Sequence, residues 1–354
     1  MSNFWKKIKK PILCLAPMAD VTDCAYRQII AKYGKPDIFF TEFVSADGLC
    51  SAGKDKLLID FIYGESERPI VAQIFGSNIN NIRKASALCK ALHFDGIDIN
   101  MGCPDKSVEK QLSGAAMIKN PKLAREVIRA AKEGGGGLPV SVKTRIGYNK
   151  NEIETWIPEL LKEDLAALTL HLRTRKEMSD VPAHWEVMKR IIEIRDQMKV
   201  KTLILGNGDV QNIIEAKQKI KKTGCDGVML GRAIFGNAWL FEKRSPFSFS
   251  APEGPALSPQ RPKKGAGTEN EKGQSFAHTN TGSIPVTDKL RVMVEHTKLY
   301  EKMLGKHKNF AIMKKHFKAY VNGFEGAKEL RVKLMDTDNA SQVEKKVNDF
   351  LSQI

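Results

Sequence analysis

The sequence has little that indicates a metal site or a disulfide framework. Its six cysteines are scattered along the chain, at Cys14, Cys24, Cys50, Cys89, Cys103 and Cys225. None of them forms a C-x-x-C pair, whereas zinc sites and disulfide-rich secreted domains depend on closely spaced cysteines. We therefore expect neither metal nor disulfides. Most of these cysteines are interpreted as small buried apolar residues, with Cys103 as the exception.

The sequence also lacks an apolar run that approaches the roughly 20 residues needed to span a bilayer. Its N-terminal stretch, MSNFWKKIKKPILCLAPMADVTD, combines lysines with an apolar run in the manner of a signal peptide. That run is too short, and Asp20 and Asp23 follow it at once. We interpret it as a strand that enters a core, and we predict a cytoplasmic protein with no membrane partner.

Acidic residues are fewer than basic ones. The chain has 41 Asp and Glu against 57 Lys and Arg, which is a formal net charge of +16. Such an excess favours a polyanionic partner, and nucleic acid more than a membrane surface. A generally lysine-rich composition explains the same excess equally well, so charge alone leaves both interpretations open.

Short apolar segments alternate with amphipathic ones such as residues 78–93 and 120–133. The apolar segments are ILCLAPM (12–18), IFFTEFVS (38–45), IVAQIFG (70–76), GIDINMG (96–102), PVSVKTR (139–145), LTLHLRT (168–174), TLILGNG (202–208) and GVMLGR (227–232). Apolar strands that alternate with helices predict a covered parallel sheet, and eight such units predict a (β/α)8 TIM barrel. A doubly wound open sheet is the competing fold. It usually carries a glycine fingerprint after the first strand, which the segment APMAD does not have.

The composition changes after residue 243. Residues 244–286 are rich in Pro, Gly, Ser and Thr, which predicts a flexible or disordered linker. The predicted domains are therefore a catalytic barrel at 1–243 and a small helical domain at 287–354. Within the latter, S-x-x-E at 341–344 is a capping-box pattern that predicts the start of a final helix.

The predicted helical domain contains an amphipathic segment, KNFAIMKKHFKAYVNG. Helical spacing puts its large apolar residues on one face: Phe310, Met313, Phe317 and Tyr320. Another face carries three lysines: Lys308, Lys315 and Lys318. These lysines are the best candidates for phosphate contacts, although a solvated helix face accounts for them equally well.

Polar residues occur near the ends of the predicted strands, where a core would have none. They are Gln73, Asn100, Cys103, Lys143, Arg145, His171 and Arg173. Active sites of such barrels lie at the carboxyl ends of the strands. Each residue alone has a structural explanation as a satisfied amide, a snorkelling lysine or a paired arginine. Together they would be costly to bury unpaired, so we expect a polar or polyanionic ligand at this end.

Glycine turns after the last two strands favour a cofactor with a phosphate. GNGD (206–209) ends the seventh strand and GR (231–232) ends the eighth. Loops at these positions often bind phosphate through backbone N–H groups, and Arg232 adds a bidentate cation. After the first strand, Pro17 and Met18 would present backbone and a polarisable side chain to a flat ring.

Eight segments within roughly residues 10–245 resemble the tRNA-dihydrouridine synthases, in order and with the right spacing. They are APMADVTD (16–23), VAQIFGSN (71–78), DINMGCP (98–104), GAAMIKNP (114–121), VKTRIGY (142–148), HLRTR (171–175), GNGDV (206–210) and GRAIFGNAW (231–239). The combination of NMGCP with HLRT is the most specific part. The segment MKKHFKAY (313–320) is similar to the family's RNA-binding domain, particularly in its B-type bacterial branch. Asp20 and Leu172 depart from the pattern, because the family often has glycine at both positions.

The resemblance implies an FMN-dependent enzyme that reduces the C5=C6 bond of particular uridines in tRNA, with NADPH reducing the flavin. It implies that Cys103 is the proton donor to C5. Cofactor contacts are expected from Pro17, Met18, Gln73, Asn100, Lys143, His171, Asn207, Gly208, Asp209, Gly231 and Arg232. Substrate contacts are expected from Arg145, Arg173, Lys308, Lys315 and Lys318. We expect the protein to be a monomer.

The chemistry of a free thiol suits a proton donor. Its ordinary pKa of about 8.5 leaves it roughly thirty to one protonated at pH 7. A nucleophilic cysteine needs the opposite, a pKa lowered by a neighbouring base or a helix N-terminus. Pro104, directly after Cys103, has no N–H with which to stabilise a thiolate.

Two rival functions remain open. A flavin barrel that reduces a free pyrimidine or an enone would not need the C-terminal helices. A non-catalytic RNA-binding protein on the same scaffold would be colourless.

Overall fold

A closed parallel barrel forms the larger part of the molecule. A computed structural model describes residues 3–242 and 284–354. Its strands are β1 (Ile12–Leu15), β2 (Phe39–Phe40), β3 (Val44–Ser45), β4 (Ile70–Phe75), β5 (Gly96–Met101), β6 (Val140–Arg145), β7 (Ala167–His171), β8 (Leu203–Asn207) and β9 (Gly227–Leu230). They pair in parallel in the order β1-β9-β8-β7-β6-β5-β4-β2, and β3 also pairs with β4. A parallel bridge between Cys14 and Ile38 joins the two ends of the sheet. The predicted (β/α)8 TIM barrel is confirmed.

Helices alternate with the strands and then continue alone. They are α1 (Cys24–Tyr33), α2 (Ala46–Leu49), α3 (Lys54–Leu57), α4 (Ile79–Ala91), α5 (Lys106–Glu109), α6 (Pro121–Gly135), α7 (Ile153–Leu161), α8 (Met188–Gln197), α9 (Ile213–Thr223), α10 (Val286–Leu304), α11 (Met313–Tyr320), α12 (Ala327–Met335) and α13 (Ala340–Leu351). The predicted helices at 78–93 and 120–133 are α4 and α6. Both begin after an asparagine whose side chain accepts backbone N–H groups, Asn78 and Asn120.

The strands are buried along almost their whole length, as their continuous apolar sequences predict. Every residue of β4 and β5 is buried. The polar members of these strands, such as Gln73 and Asp98, therefore point into the barrel interior or its end and need internal hydrogen-bond partners. The need for such partners points to the candidate active site.

The predicted strand at 38–45 is wrong in one respect, because it is interrupted. Thr41, Glu42 and Phe43 separate β2 from β3. The Thr41 hydroxyl accepts the backbone N–H of Gln73 at 3.0 Å, so a side chain replaces part of the strand pairing. Glu42 is buried in this interruption rather than within a strand.

The start of the final helix also differs from the prediction. Helix α13 begins at Ala340, and its N-cap is Asn339, whose side-chain oxygen accepts the backbone N–H of Gln342 at 2.9 Å. Asparagine caps a helix as well as serine does, so Asn339 is the N-cap in place of Ser341, two positions later.

The C-terminal helices α10–α13 pack on the barrel through α1. The ring of Tyr26 stacks on His296 with centroids 4.7 Å apart. Of the predicted apolar face, Met313, Phe317 and Tyr320 are buried, and Phe310 is half-buried. The predicted linker, 244–286, lies outside the described residues except for its last three, and the predicted domain limits remain predictions.

Candidate active site

The floor of the site is a chain of hydrogen bonds across β4, β5 and β6. Ser141 donates to Asp98 Oδ1 at 2.6 Å, and Gln73 Nε2 donates to Asp98 Oδ2 at 2.7 Å. Burial raises the pKa of Asp98 to about 6, although these bonds and Lys143 oppose the rise. The Asp98 carboxylate therefore orients the side-chain amide of Gln73, and the oxygen of that amide faces Asn100.

Asn100 carries this chain to the cysteine. Its Nδ2 donates to Gln73 Oε1 at 3.0 Å, and its Oδ1 accepts the backbone N–H groups of Gly102 at 3.1 Å and Cys103 at 2.9 Å. The side chain acts as a cap on the loop that follows β5. Gln73 and Asn100 were both expected to contact the cofactor. Their side-chain oxygens accept hydrogen bonds from the protein itself, and each amide nitrogen has one further N–H that can donate to a ligand.

Two arginines bind the same loop from the other side. Arg145 donates to the carbonyl oxygens of Gly102 at 2.9 Å, Thr174 at 3.0 Å and Met178 at 2.9 Å. Arg145 is only 5% exposed, and burial lowers its pKa to about 10. The contact of Arg145 with substrate remains a prediction, and the carbonyl partners of Nε and Nη1 leave only Nη2 for it.

Arg175 supports the loop one residue further along. It binds Glu109 at 2.5 Å and lies 3.5 Å from the carbonyl oxygen of Pro104. Cys103 itself is partly exposed, and its carbonyl accepts the N–H of Ala115 at 2.9 Å. Burial raises the pKa of the Cys103 thiol, although nearby Arg145 and Lys143 oppose the rise. The group is therefore held as a thiol.

Lys143 is the cation nearest to the floor of the site. Its Nζ lies 3.3 Å from Asn207 Oδ1, while Asn207 Nδ2 donates to the carbonyl oxygen of Met229 at 2.8 Å. Burial, then the charge of Arg145, lowers the pKa of Lys143 to about 8. Asn207, expected at the phosphate end of a cofactor, orients Lys143.

His171 is held neutral among cations. Burial lowers its pKa to about 2, and the charges that add to this effect are Lys143, Arg145, Arg173 and Arg232. Arg173 Nη1 lies 3.1 Å from His171 Nε2. Because a guanidinium can only donate, Nε2 is the acceptor, and the imidazole proton is on Nδ1. Nδ1 is therefore the ring nitrogen of His171 that can donate a hydrogen bond.

Arg173 was expected to contact substrate, and this remains a prediction. Its side chain is 3% exposed and is bound by the carbonyl oxygen of Val181 at 2.5 Å and by the carboxylate of Asp209. Both side-chain oxygens of Asp209 bind cations, so a phosphate would meet this residue through its backbone. Its second oxygen pairs with Arg232 at 2.8 Å.

The loop after β8 has the backbone expected of an anion site. Gly208 has φ +133° and Asp209 has φ +52°. A side chain at Gly208 would place its Cβ 2.7 Å from that of Ala183, so only glycine fits. Arg232, 65% exposed, lies at the rim beside this loop. It is the group best placed to reach a phosphate from solution.

The loop after β1 reaches the same rim. A Cβ added to Gly231 would lie 3.8 Å from Met18 Sδ, so Met18 is next to the turn that follows β9. Pro17 and Met18 are both partly exposed. Asp20, where the family often has glycine, has φ +55°, a conformation that glycine adopts without strain. Leu172, the other departure, is fully buried.

The lysines of the C-terminal helices differ from one another in their surroundings. Lys308 is not on an exposed face: it lies 3.0 Å from Glu42 Oε2 and 2.6 Å from Asp60 Oδ1. Two barrel carboxylates already neutralise it, and its expected contact with substrate remains a prediction. Lys318 is exposed and Lys315 is half-buried, both on α11.

Several cations converge on the barrel mouth. Lys143, Arg145, Arg173 and Arg232 all act on His171, and Arg173 and Arg232 share the carboxylate of Asp209. A cluster of partly buried cations favours the entry of an anion. The mouth can therefore hold an anionic ligand beside a protonated thiol.

The sequence did not identify Glu42, Asp98 or Arg175 as members of the site. Glu42 and Asp98 each interrupt an apolar strand segment, and an acid in such a segment is the signal that could have found them. Arg175 had no such signal, because its partner Glu109 is 66 residues away. In residues 3–242 and 284–354, no group of three or more His, Cys, Asp and Glu could hold a metal, and no helix is long and apolar enough to cross a membrane.

Comparison with known proteins identifies the family of this chain. The dihydrouridine synthase family model matches residues 14–354. The probable tRNA-dihydrouridine synthase 2 of Bacillus subtilis (strain 168) is 38% identical over 350 residues, 98% of this chain and 96% of that protein. The probable tRNA-dihydrouridine synthase of Staphylococcus aureus (strain COL) is 36% identical over 354 residues, 99% of this chain and 97% of that protein.

A solved structure, morphinone reductase in complex with tetrahydroNAD, covers 65% of this chain and 85% of its own, with a TM-score of 0.46 and 14% identity. The match of the family model and the two near-full-length relatives lead to one conclusion. With its thiol loop after β5 and its arginine-bound turns after β8 and β9, this chain belongs to the dihydrouridine synthase family.

Proposed function

We propose that the protein binds FMN in the barrel mouth and reduces uridines of tRNA to 5,6-dihydrouridine, with NADPH as the source of electrons. The observation that carries this function is the partly exposed Cys103, whose thiol pKa is raised by burial, on a loop that Arg145 binds and Lys143 lies near. The substrate class is supported by the family match and by the two relatives, each named a probable tRNA-dihydrouridine synthase. The chain's net charge of +16 fits a polyanionic substrate.

The residues present fit a phosphorylated flavin. Arg232 and the loop at Gly208 and Asp209 would hold the phosphate end, because they combine an exposed guanidinium with a glycine turn. Lys143 and the Nδ1 proton of His171 are donors toward the polar edge of a ring. Met18, at the same rim, would contact the ring itself. Reduced FMN would supply the hydride that adds to C6 of uracil.

Cys103 would complete the reduction by giving its proton to C5. The addition of hydride at C6 leaves negative charge on the C4 carbonyl side of the base, and this charge is discharged when C5 takes a proton. The thiol becomes a thiolate and regains a proton from solvent, so one uridine, one NADPH and one proton yield one dihydrouridine and one NADP⁺. Asn100 and Arg145 would fix the loop during this transfer.

The decisive experiment uses purified protein and a tRNA transcript that contains unmodified uridine. We expect yellow protein with the absorbance bands of FMN, and NADPH oxidation that depends on added tRNA and produces dihydrouridine. Free uracil and a simple enone serve as control substrates. Colourless protein that does not take up FMN would contradict the function, and turnover of the free base in preference to tRNA would favour the rival flavin reductase.

Binding of tRNA has its own test. Neutralising phosphates releases counterions, so affinity should fall steeply as salt concentration rises. Replacing Lys318 with alanine should lower affinity slightly for all tRNA sequences and reduce the salt slope by about 1. Affinity that is independent of salt would contradict phosphate binding.

A further inference from the structure

A buried ion pair joins the C-terminal helices to the barrel near its mouth. Lys308 follows α10, and its ammonium lies 3.0 Å from Glu42 Oε2 and 2.6 Å from Asp60 Oδ1. The side chains of Lys308 and Glu42 are 14% and 5% exposed. A pair this well buried cannot lose one partner without leaving the other charge uncompensated. The contact therefore fixes the position of Glu42 relative to the helices.

The second oxygen of Glu42 faces the loop that follows β1. Glu42 Oε1 accepts the backbone N–H of Asp20. Asp20 adopts φ +55°, a left-handed conformation that is unfavourable for most residues with a side chain. A residue in such a conformation needs support from its surroundings. The Glu42 carboxylate supplies that support at the backbone of Asp20 itself.

The turn around Asp20 is bonded internally. The carbonyl oxygen of Met18 accepts the N–H groups of Val21 at 3.1 Å and Thr22 at 3.0 Å. The N–H of Met18 donates to the Thr22 hydroxyl at 2.9 Å. Asp20 therefore belongs to the same hydrogen-bonded turn as Met18, which lies beside Gly231 at the rim of the candidate active site.

We propose that Glu42 and Lys308 are positioning residues for the cofactor. Through the N–H of Asp20 they hold residues 18–22, so the docking of the C-terminal helices and the affinity for the cofactor are coupled. Neither side chain needs to touch the cofactor. The inference rests on the proposed function only for the identity of the cofactor, FMN.

The first test measures FMN binding to apoprotein by fluorescence quenching at pH 8, well below the melting temperature of each variant. At this pH Glu42 is ionised, since burial raises its pKa to about 7 against the opposing charge of Lys308. Lys308→Met should raise the Kd for FMN about tenfold, and Lys308→Arg should restore it to within about threefold of wild type. The control is Lys298→Met, which removes an ion pair with Glu344 at 2.6 Å within the C-terminal helices and should change Kd less than about twofold.

The second test separates the hydrogen bond from the charge. Glu42→Leu removes the acceptor of the Asp20 N–H and should raise the Kd for FMN about tenfold. Glu42→Gln keeps an oxygen acceptor and should raise it less than about threefold. A wild-type protein that does not bind FMN would contradict the proposed function and the inference together. If the wild type binds FMN tightly and the Kd is unchanged in Lys308→Met and Glu42→Leu, the inference alone is contradicted. This holds even if the melting temperatures of the two variants are lowered.

Discussion

The barrel mouth and the junction between barrel and C-terminal helices are both built from buried polar groups, yet their charges are compensated differently. We use "junction" for Tyr26, Glu42, Gly236, Lys308 and the histidines His296 and His316. At the junction, Lys308 meets two carboxylates. Both histidines are fully buried, and burial lowers the pKa of each, so they are neutral.

In the mouth, by contrast, Lys143 has an amide oxygen as its partner, at 3.3 Å, and burial with neighbouring charge lowers its pKa to about 8. The two regions therefore differ in how a lysine is compensated: Lys308 is paired with carboxylates, whereas the surroundings of Lys143 favour a polar or anionic ligand. Substitutions at four positions test this comparison, from the largest expected effect to the smallest.

Removal of the thiol should have the largest effect and should act only on the chemistry of the mouth. Cys103→Ala is expected to keep bound FMN and to lower turnover by about 10²–10⁴-fold, the usual contribution of a general acid. Turnover of tRNA and flavin absorbance are measured on the same preparation. The matched control is Cys50→Ala, because Cys50 is exposed and its thiol lies 3.7 Å from the carbonyl oxygen of Asn81 in α4. Loss of FMN from Cys103→Ala would mean that the cysteine is structural.

A clash at the junction should lower the stability of the fold. Gly236 has φ +70°, and a Cβ there would lie 2.2 Å from the carbonyl oxygen of Ala319 in α11. Gly236→Ala is therefore expected to lower the free energy of unfolding by about 2–4 kcal/mol, as strain and overpacking combine. Urea denaturation measures this change.

Gly224→Ala is the control for Gly236→Ala. Gly224 has φ +78°, but a Cβ there would have nothing within 4 Å. It should therefore show the backbone strain alone, about 1–2 kcal/mol. Equal losses in the two variants would mean that α11 moves away from Gly236 without cost, and that the junction is loosely packed.

Loss of the Lys143 ammonium should weaken the binding of FMN. Lys143→Met is expected to raise the Kd for FMN by about 10–100-fold at pH 7, the usual value of a hydrogen bond to a charged group. Because the pKa of Lys143 is lowered to about 8, wild-type affinity should decline as pH rises through 8. Lys143→Met should lack that decline. Lys222→Met, an exposed lysine at the C-terminal end of α9, is the control, and equal affinities would contradict the role of Lys143.

The histidines of the junction should make stability depend on pH. The pKa of folded His316 is lowered to about 3 by burial, while an unfolded histidine titrates near its ordinary value of about 6.5. The unfolded chain therefore binds more protons as pH falls, and the wild type loses stability. Between pH 7.5 and 5.5 this one group should cost about 1.4 kcal/mol.

Two variants isolate the contribution of His316. Neither His316→Phe nor His316→Gln can titrate, so both should gain about 1.4 kcal/mol relative to wild type over that pH range, whatever their packing at pH 7.5. Chemical denaturation at the two pH values measures the gain. If neither variant gains, the imidazole is hydrated or bonded in solution, and the junction is less dry than the structure indicates.

The barrel and much of its mouth could be predicted because the relevant signals are local. Apolar strand segments recur eight times, and Gln73, Asn100, Lys143 and His171 stand at their ends. The carboxyl ends of parallel strands meet at one edge, so residue number alone brings these groups together. The same reasoning located the turn at Gly208, whose φ of +133° requires glycine.

The roles of Arg145, Arg173 and Lys308 could not be predicted in the same way. All three were expected to contact substrate, and all three are bound by groups of the protein itself. Lys308 and Glu42 are separated by 266 residues, and nothing in either segment indicates the other. Sequence patterns report which side chains can carry charge, but not which distant group neutralises it.

The amino-acid sequence by itself determined the alternation of strands and helices and the kinds of polar group at the end of each strand. Only the tertiary structure decided which of those groups are neutralised and which remain for a ligand. The reason is that carboxylates and backbone carbonyls far apart along the chain surround each cation, and electrostatic compensation depends on distance in space. Glu42 shows this most clearly: along the chain it is an acid that interrupts an apolar strand, and in the fold it joins the C-terminal helices to the rim of the site.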